Sequence, residues 1–205
     1  MKIEVTPFCD LSAMWSKVLR DSRRTVGKDD LLKEPSQNFK NSIMRSRHSP
    51  IRKLKFEIFI EEVPAFVSQQ FSRHHIALAS DPTSSFAEPI HPTDVEHFVQ
   101  TSRADRTGIK RSERKQTDMV SYNFEANAQG LLDASKKRLC LASDPQAVKY
   151  WSEVKIQLAK ICPEVAVKMQ PECVCVGFCP EDPNLVKCRY TKTKQYEKLR
   201  EEYIR

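Results

Sequence analysis

Two hydrophobic periods run along this chain and divide it into strands and helices. Residues 55–60 read KFEIFI, where Phe56, Ile58 and Ile60 alternate against Lys55, Glu57 and Phe59, and this predicts a half-buried strand. Residues 1–10 read as a shorter opening strand. From 11 to 24 the apolar positions Leu11, Met14, Trp15, Val18 and Leu19 recur at helical spacing behind Asp10, a suitable N-cap. Residues 25–40 are polar and predict a loop followed by a short helix. Pro64, with Phe66, Val67 and Phe71 placed for burial, predicts a helix over 63–76. The best helix candidate is 123–141, NFEANAQGLLDASKKRLCL, with Phe124, Ala128, Leu131, Leu132, Ser135 and Leu139 along one stripe. A further helix is expected over 145–161, with Val148, Trp151, Val154 and Leu158 on its apolar face. Pro163 and Pro171 bracket a shorter one, and residues 191–205 are charged with helical character. Pro82, Pro89 and Pro92 among serines mark 79–98 as an ordered loop or insertion. Helices outnumber strands without alternating with them, which is an α+β pattern rather than a doubly wound sheet.

Composition narrows the class. A chain of 205 residues, 40% apolar and 30% charged, fits one folded domain and excludes a disordered one. No apolar run approaches a bilayer span, and the opening MKIEVTPFCD has an acidic residue where a signal peptide needs an apolar stretch, so the cytoplasm is the expected location. The formal charge of +7 favours anionic partners. Four of the seven cysteines, Cys173, Cys175, Cys179 and Cys188, crowd one stretch, but paired C-x2-C knuckles are missing. Structural thiols around a Gly177 turn are the expectation, and no metal.

Four constellations could carry chemistry. Arg73-His74-His75 closes the expected helix, where it either caps the surface or grips phosphate and an electron-rich ring. His48-Ser49-Pro50-Ile51-Arg52 precedes the KFEIFI strand and is either an ordinary Ser-Pro turn or a ligand-facing edge. Thr101, Ser102, Arg103, Arg106, Lys110, Arg111 and Arg114 surround Gly108, as an exposed basic loop, a nucleic-acid footprint or a phosphate clamp. Interleaved aromatics of the stacking type are missing there, which counts against nucleic acid. Asn127, Leu131 and Arg138 share one side of the best helix, and an arginine within an apolar helical surface is costly unless paired or exposed. Arg138 is therefore the charged residue that periodicity marks as functional. No Rossmann or P-loop glycine pattern is present.

Taken together, RHSPIR, VPAFVSQQFSRHHIA, TSRADRTG, NFEANAQGLLDASKKRLC and PECVCVGFCPE resemble, in order and over residues 43–181, the flavin-dependent thymidylate synthase family. That family's Arg-His-Arg opening is matched by Arg73-His74-His75, and its Ser-x-Arg-Tyr closing by Thr101-Ser102-Arg103 after the 79–98 insertion. The resemblance implies a homotetramer with active sites at subunit junctions, FAD as cofactor, and NADPH and 5,10-methylenetetrahydrofolate as co-substrates. The reaction it implies is conversion of dUMP to dTMP, with a related pyrimidine nucleotide as the alternative substrate. Gln70, Arg73, His74, His75, Asn127 and Gln129 would then lie along FAD, and His48 over the folate and flavin rings. Arg138 would contact the uracil ring and Arg103 the nucleotide phosphate, with Arg111 or Arg114 as a further phosphate-side arginine and Thr101 and Ser102 beside them. Neither nucleic acid nor a membrane is expected as a partner.

Departures from the family pattern fall at His75, Thr101, Ala104 and Gln129, which stand where the family has Arg, Ser, Tyr and Arg. They fit subgroup variation, weaker binding of one cofactor, or a relative that takes another pyrimidine nucleotide or leaves a hydroxymethyl group. A nucleotide- or nucleic-acid-binding module without catalysis is the competing class.

Overall fold

A computed structural model of the protein describes residues 2–28, 34–72, 95–100, 113, 115–184 and 187–204, with 95–100 as backbone alone. Strands β1 (Lys2–Pro7), β2 (Lys55–Pro64), β3 (Val95–Gln100) and β4 (Met119–Asn127) pair antiparallel in the order β1-β2-β4-β3. Register follows the apolar alternation, because slipping by one residue would turn every buried side chain outward. Ile3 faces Ile60, Val5 faces Ile58, and across the next pair Ile58 faces Phe124 and Ile60 faces Tyr122, all of them buried. The opposite face carries polar pairs such as Asn123 Nδ2 donating to Glu57 Oε1 at 2.8 Å.

A bulge between Ile60 and Val63 redirects β2, with Glu62 in the left-handed region at φ 58. Tyr150 Oη donates to the Glu62 carbonyl at 2.7 Å and satisfies it. Beyond the bulge Val63 pairs with Val120, so β2 runs on to Pro64. The helix expected from 63 therefore begins later, as α3 (Ala65–Ser72).

The 123–141 helix needs the same correction. Val120, Tyr122, Phe124 and Ala126 are buried with period two, so 123–127 belong to β4 and only Ala128–Arg138 form the helix, α4. The apolar stripe crosses a strand-to-helix junction that Asn127 marks by capping. Residues 95–98, expected within an insertion, are the first part of β3, while 79–94 lie outside the described residues. Before the short helix expected in 25–40, Ser36 caps α2 (Gln37–Ser46), its hydroxyl accepting from Phe39 N at 3.3 Å, while 29–33 lie outside the described residues.

Helix α1 (Leu11–Arg24) forms where its spacing places it, with Asp10 Oδ2 accepting Ala13 N at 2.7 Å and Met14, Trp15 and Val18 buried. A 3-10 turn (Ser49–Lys53) leads into β2 and buries Pro50 and Ile51. Helix α5 (Pro145–Ala159) packs Trp151 on the aromatic face of the sheet and α3, with ring centroids 5.8 Å from Phe124 and 5.1 Å from Phe71. Three short elements follow: α6 (Pro163–Ala166), α7 (Glu172–Val176) and, after a second 3-10 turn (Tyr190–Lys192), α8 (Lys194–Ile204). Gly177 ends α7 at φ 95, and Arg200 Nη1 from α8 donates to the carbonyls of Val174 and Cys175 at 2.6 and 2.7 Å. No helix among the described residues is long and apolar enough to cross a membrane.

Candidate functional site

Helix α4 organises the candidate site from both of its ends. At its start Asn127 is buried and its Oδ1 accepts Gly130 N at 2.9 Å, satisfying a helix-end donor. Ala128 N donates to Leu54 O at 2.8 Å, which fixes the α4 N-terminus against the segment that carries His48. His48 itself is exposed at the N-cap of the 3-10 turn. In the first turn of α4, Gln129 Nε2 donates to Asp133 Oδ2 at 2.7 Å.

At the other end stands Arg138, the last residue of α4. Its Nη1 donates to Gln70 Oε1 at 3.2 Å, and its Nη2 donates to the Gln70 backbone carbonyl in the last turn of α3. A guanidinium over a helix C-terminus gains from the exposed carbonyls, which explains how a half-buried arginine is held on a largely apolar helix. Tyr122 lies buried nearby; burial pushes its phenol up, and the Arg138 charge offsets this in part.

Of the residues expected at the site, Gln70 and Arg138 are brought into contact, and Asn127 and Gln129 open the same helix. Arg73, His74, His75, Thr101, Ser102, Arg103, Arg111 and Arg114 lie outside the described residues. The geometry adds Asp133, which receives Gln129, pairs with Lys136 Nζ at 2.7 Å and lies 3.7 Å from Arg47 Nη1. Asp133 sits one turn beyond Gln129, a spacing that could have flagged the pair.

The described part of the site is rich in amides and cations, and its one carboxylate, Asp133, is engaged on both oxygens. Such donors suit planar ring edges and phosphates rather than a metal ion. Among the described residues no group of three or more histidine, cysteine or carboxylate side chains stands as a metal site. All seven cysteines are free thiols. Burial, with the charges of Cys140, Cys179 and Cys188, pushes the Cys173 thiol up to about 11. A separate cleft of about 370 Å³, walled by Phe8, Lys17, Arg20, Lys53 and Lys55, contains none of the expected site residues.

No family model matches the chain, and no curated protein matches it by sequence. Solved structures do match its backbone. A UMP/dUMP methylase, PolB from Streptomyces cacaoi bound with 5-Br dUMP, superposes with a TM-score of 0.56 at 13% identity, over 82% of this chain and 94% of that one. Thymidylate synthase X from Helicobacter pylori, with FAD and dUMP, superposes with a TM-score of 0.56 at 11% identity, over 82% and 97%. The fold is that of thymidylate synthase X. Because nearly the whole of both solved chains is covered, the thymidylate synthase X fold accounts for the architecture as a unit rather than for a shared fragment.

Proposed function

We propose that this chain is a flavin-dependent methylating enzyme of pyrimidine nucleotides that converts dUMP to dTMP, with 5,10-methylenetetrahydrofolate as carbon donor and NADPH as reductant. The observation that carries this reading is the Gln70–Arg138 contact between two helix ends, in a fold shared with structures holding dUMP or its bromo analogue. An amide beside a guanidinium offers donors and an acceptor in one small area, which matches the alternating carbonyl and N–H edge of a uracil ring. FAD, when bound, supplies the hydride chemistry.

The chain's own residues bind and orient. Arg138 holds and polarises the base, favouring charge that develops on its carbonyl oxygen. Arg103 grips the phosphate, with Thr101, Ser102 and either Arg111 or Arg114 beside it. Gln70, Arg73, His74, His75, Asn127 and Gln129 line the flavin, and His48 stands over the flavin and folate rings. In this reading the chain works as a homotetramer in the cytoplasm, and no cysteine nucleophile is needed.

The likeness to a UMP/dUMP methylase favours a second reading, in which the nucleotide is UMP. One experiment separates them: anaerobic incubation of the purified protein with FAD, NADPH and methylenetetrahydrofolate against dUMP and UMP in parallel, with products weighed by mass spectrometry. A gain of one methylene on dUMP supports thymidylate synthesis, and the same gain on UMP alone supports the second reading. A hydroxymethyl gain changes the product class, and a protein that retains no flavin and yields no product refutes the proposal.

A further inference from the structure

Arg47 ends α2 in the left-handed region, at φ 49, where glycine or asparagine is the least costly residue. An arginine held there costs backbone energy, and an observed outlier of this kind points to a demand on the side chain. The side chain is 21% exposed and reaches three other segments. Its Nη2 donates to Tyr203 Oη in α8 at 2.8 Å and lies 3.6 Å from Cys175 Sγ in α7. Its Nη1 lies 3.7 Å from Asp133 Oδ1 on α4. Asp133 Oδ2 in turn accepts Gln129 Nε2.

A continuous chain of contacts therefore starts at the backbone of His48, the residue after Arg47, and ends at the side chain of Gln129. Its outer support is also fixed. Lys168, 5% exposed, donates through Nζ to the Tyr203 carbonyl and stands 5.0 Å over the Tyr203 ring. Only a planar fork spans partners on two sides at once; a lysine ammonium is a single point of charge.

We propose that Arg47 is a positioning residue that fixes His48 relative to Gln129, with Asp133 as the link to α4 and Tyr203 as the brace from the C-terminal helix. That these two residues face a flavin rests on the function proposed above. The lock itself rests on the contacts alone. Its consequence is that α8, although it supplies no expected ligand contact, helps set the shape of the cofactor site.

The test uses the full chain with Arg47→Gly, Arg47→Lys and Tyr203→Phe. Arg47→Gly relieves the backbone while removing the fork, so its melting temperature should stay near wild type. Hydrogen exchange in the ligand-free protein should quicken in segments 47–54 and 128–134 for Arg47→Gly and Tyr203→Phe, while β2 and β4 stay protected. Affinity for FAD should fall about tenfold or more in both, as loss of a charge-assisted hydrogen bond network implies, and Arg47→Lys should not restore it. Wild-type exchange at 47–54 in both variants, or faster exchange spread evenly over the whole sheet, overturns the lock. Wild-type FAD affinity in variants whose exchange has quickened overturns its coupling to the cofactor. A wild-type chain that binds no flavin refutes the functional reading instead, and the exchange data still decide whether Arg47 acts as a lock.

Discussion

Arg138 holds Gln70 by both its side-chain oxygen and its backbone carbonyl, so the ends of α3 and α4 are joined by a single guanidinium. This contact gives the candidate site a rigid base, because neither helix end can move without breaking a charge-assisted hydrogen bond.

Truncation of Arg138 to Ala should lower kcat by about a hundredfold or more, the scale seen when one preorganised donor is removed from a developing charge. Circular dichroism should remain that of wild type, since the residue ends its helix rather than packing in the core. Arg138→Lys should recover little, because an ammonium cannot hold both Gln70 oxygens and a base together. Near-normal turnover of Arg138→Ala would remove it from the mechanism.

What was legible in the sequence was what is local. The Asp10 cap, the stripe of α1 and the alternation of 55–60 each depend on neighbours a few residues away, and each appears in the structure as read. That Arg138 needs a partner was legible because a charge on an apolar helical face is costly unless paired or exposed, although the partner, Gln70, comes from another helix. The strand at 123–127 was masked because Phe124 satisfies both a period of two and the helical stripe that follows Asn127. Arg47 was illegible as a lock: a positive φ at a non-glycine residue leaves no mark on the sequence, and its partners lie at 133, 175 and 203.

Asn127 tests the junction between β4 and α4. Replacement by Ala removes the acceptor for Gly130 N in a buried position and should cost about 1 kcal/mol of unfolding free energy, the typical value of an N-cap. Asn127→Ser keeps a capping oxygen and should recover most of that loss in urea unfolding. If the two variants unfold alike, the cap is not what the asparagine contributes to stability.

Ser135 and Trp151 form a buried relay in which Trp151 Nε1 donates to Ser135 Oγ at 2.8 Å and Ser135 Oγ donates to Leu131 O at 2.6 Å. Ser135→Ala leaves the indole N–H buried without its acceptor, a cost of about 1–3 kcal/mol. Trp151→Phe removes that donor along with part of the ring that stacks on Phe124, so the double variant Ser135→Ala/Trp151→Phe should cost less than the two single changes added together. Strict additivity in a double-mutant cycle would show that the two residues do not act as a pair.

Lys155 gives stability a specific pH dependence. Burial holds its ammonium below the ordinary value of 10.5, at about 8, while Glu202 and Cys175 pull the other way. Between these two values the unfolded chain binds more protons than the folded one, so this lysine makes stability rise with pH from about 8 to 10.5. Below pH 8 both states are protonated and the desolvation cost is felt in full. Cys162 and Cys173, pushed up to about 12 and about 11 chiefly by burial, act in the opposite direction above pH 9, because there the unfolded thiols lose protons first. The informative quantity is therefore the difference between wild type and Lys155→Met, measured by denaturant unfolding from pH 7 to 10. Lys155→Met should be the more stable by about 1–2 kcal/mol at pH 7, allowing for partial solvent screening, and the difference should shrink as pH rises past 8. A difference that stays constant across this range would show that the Lys155 ammonium is not held in a destabilising environment.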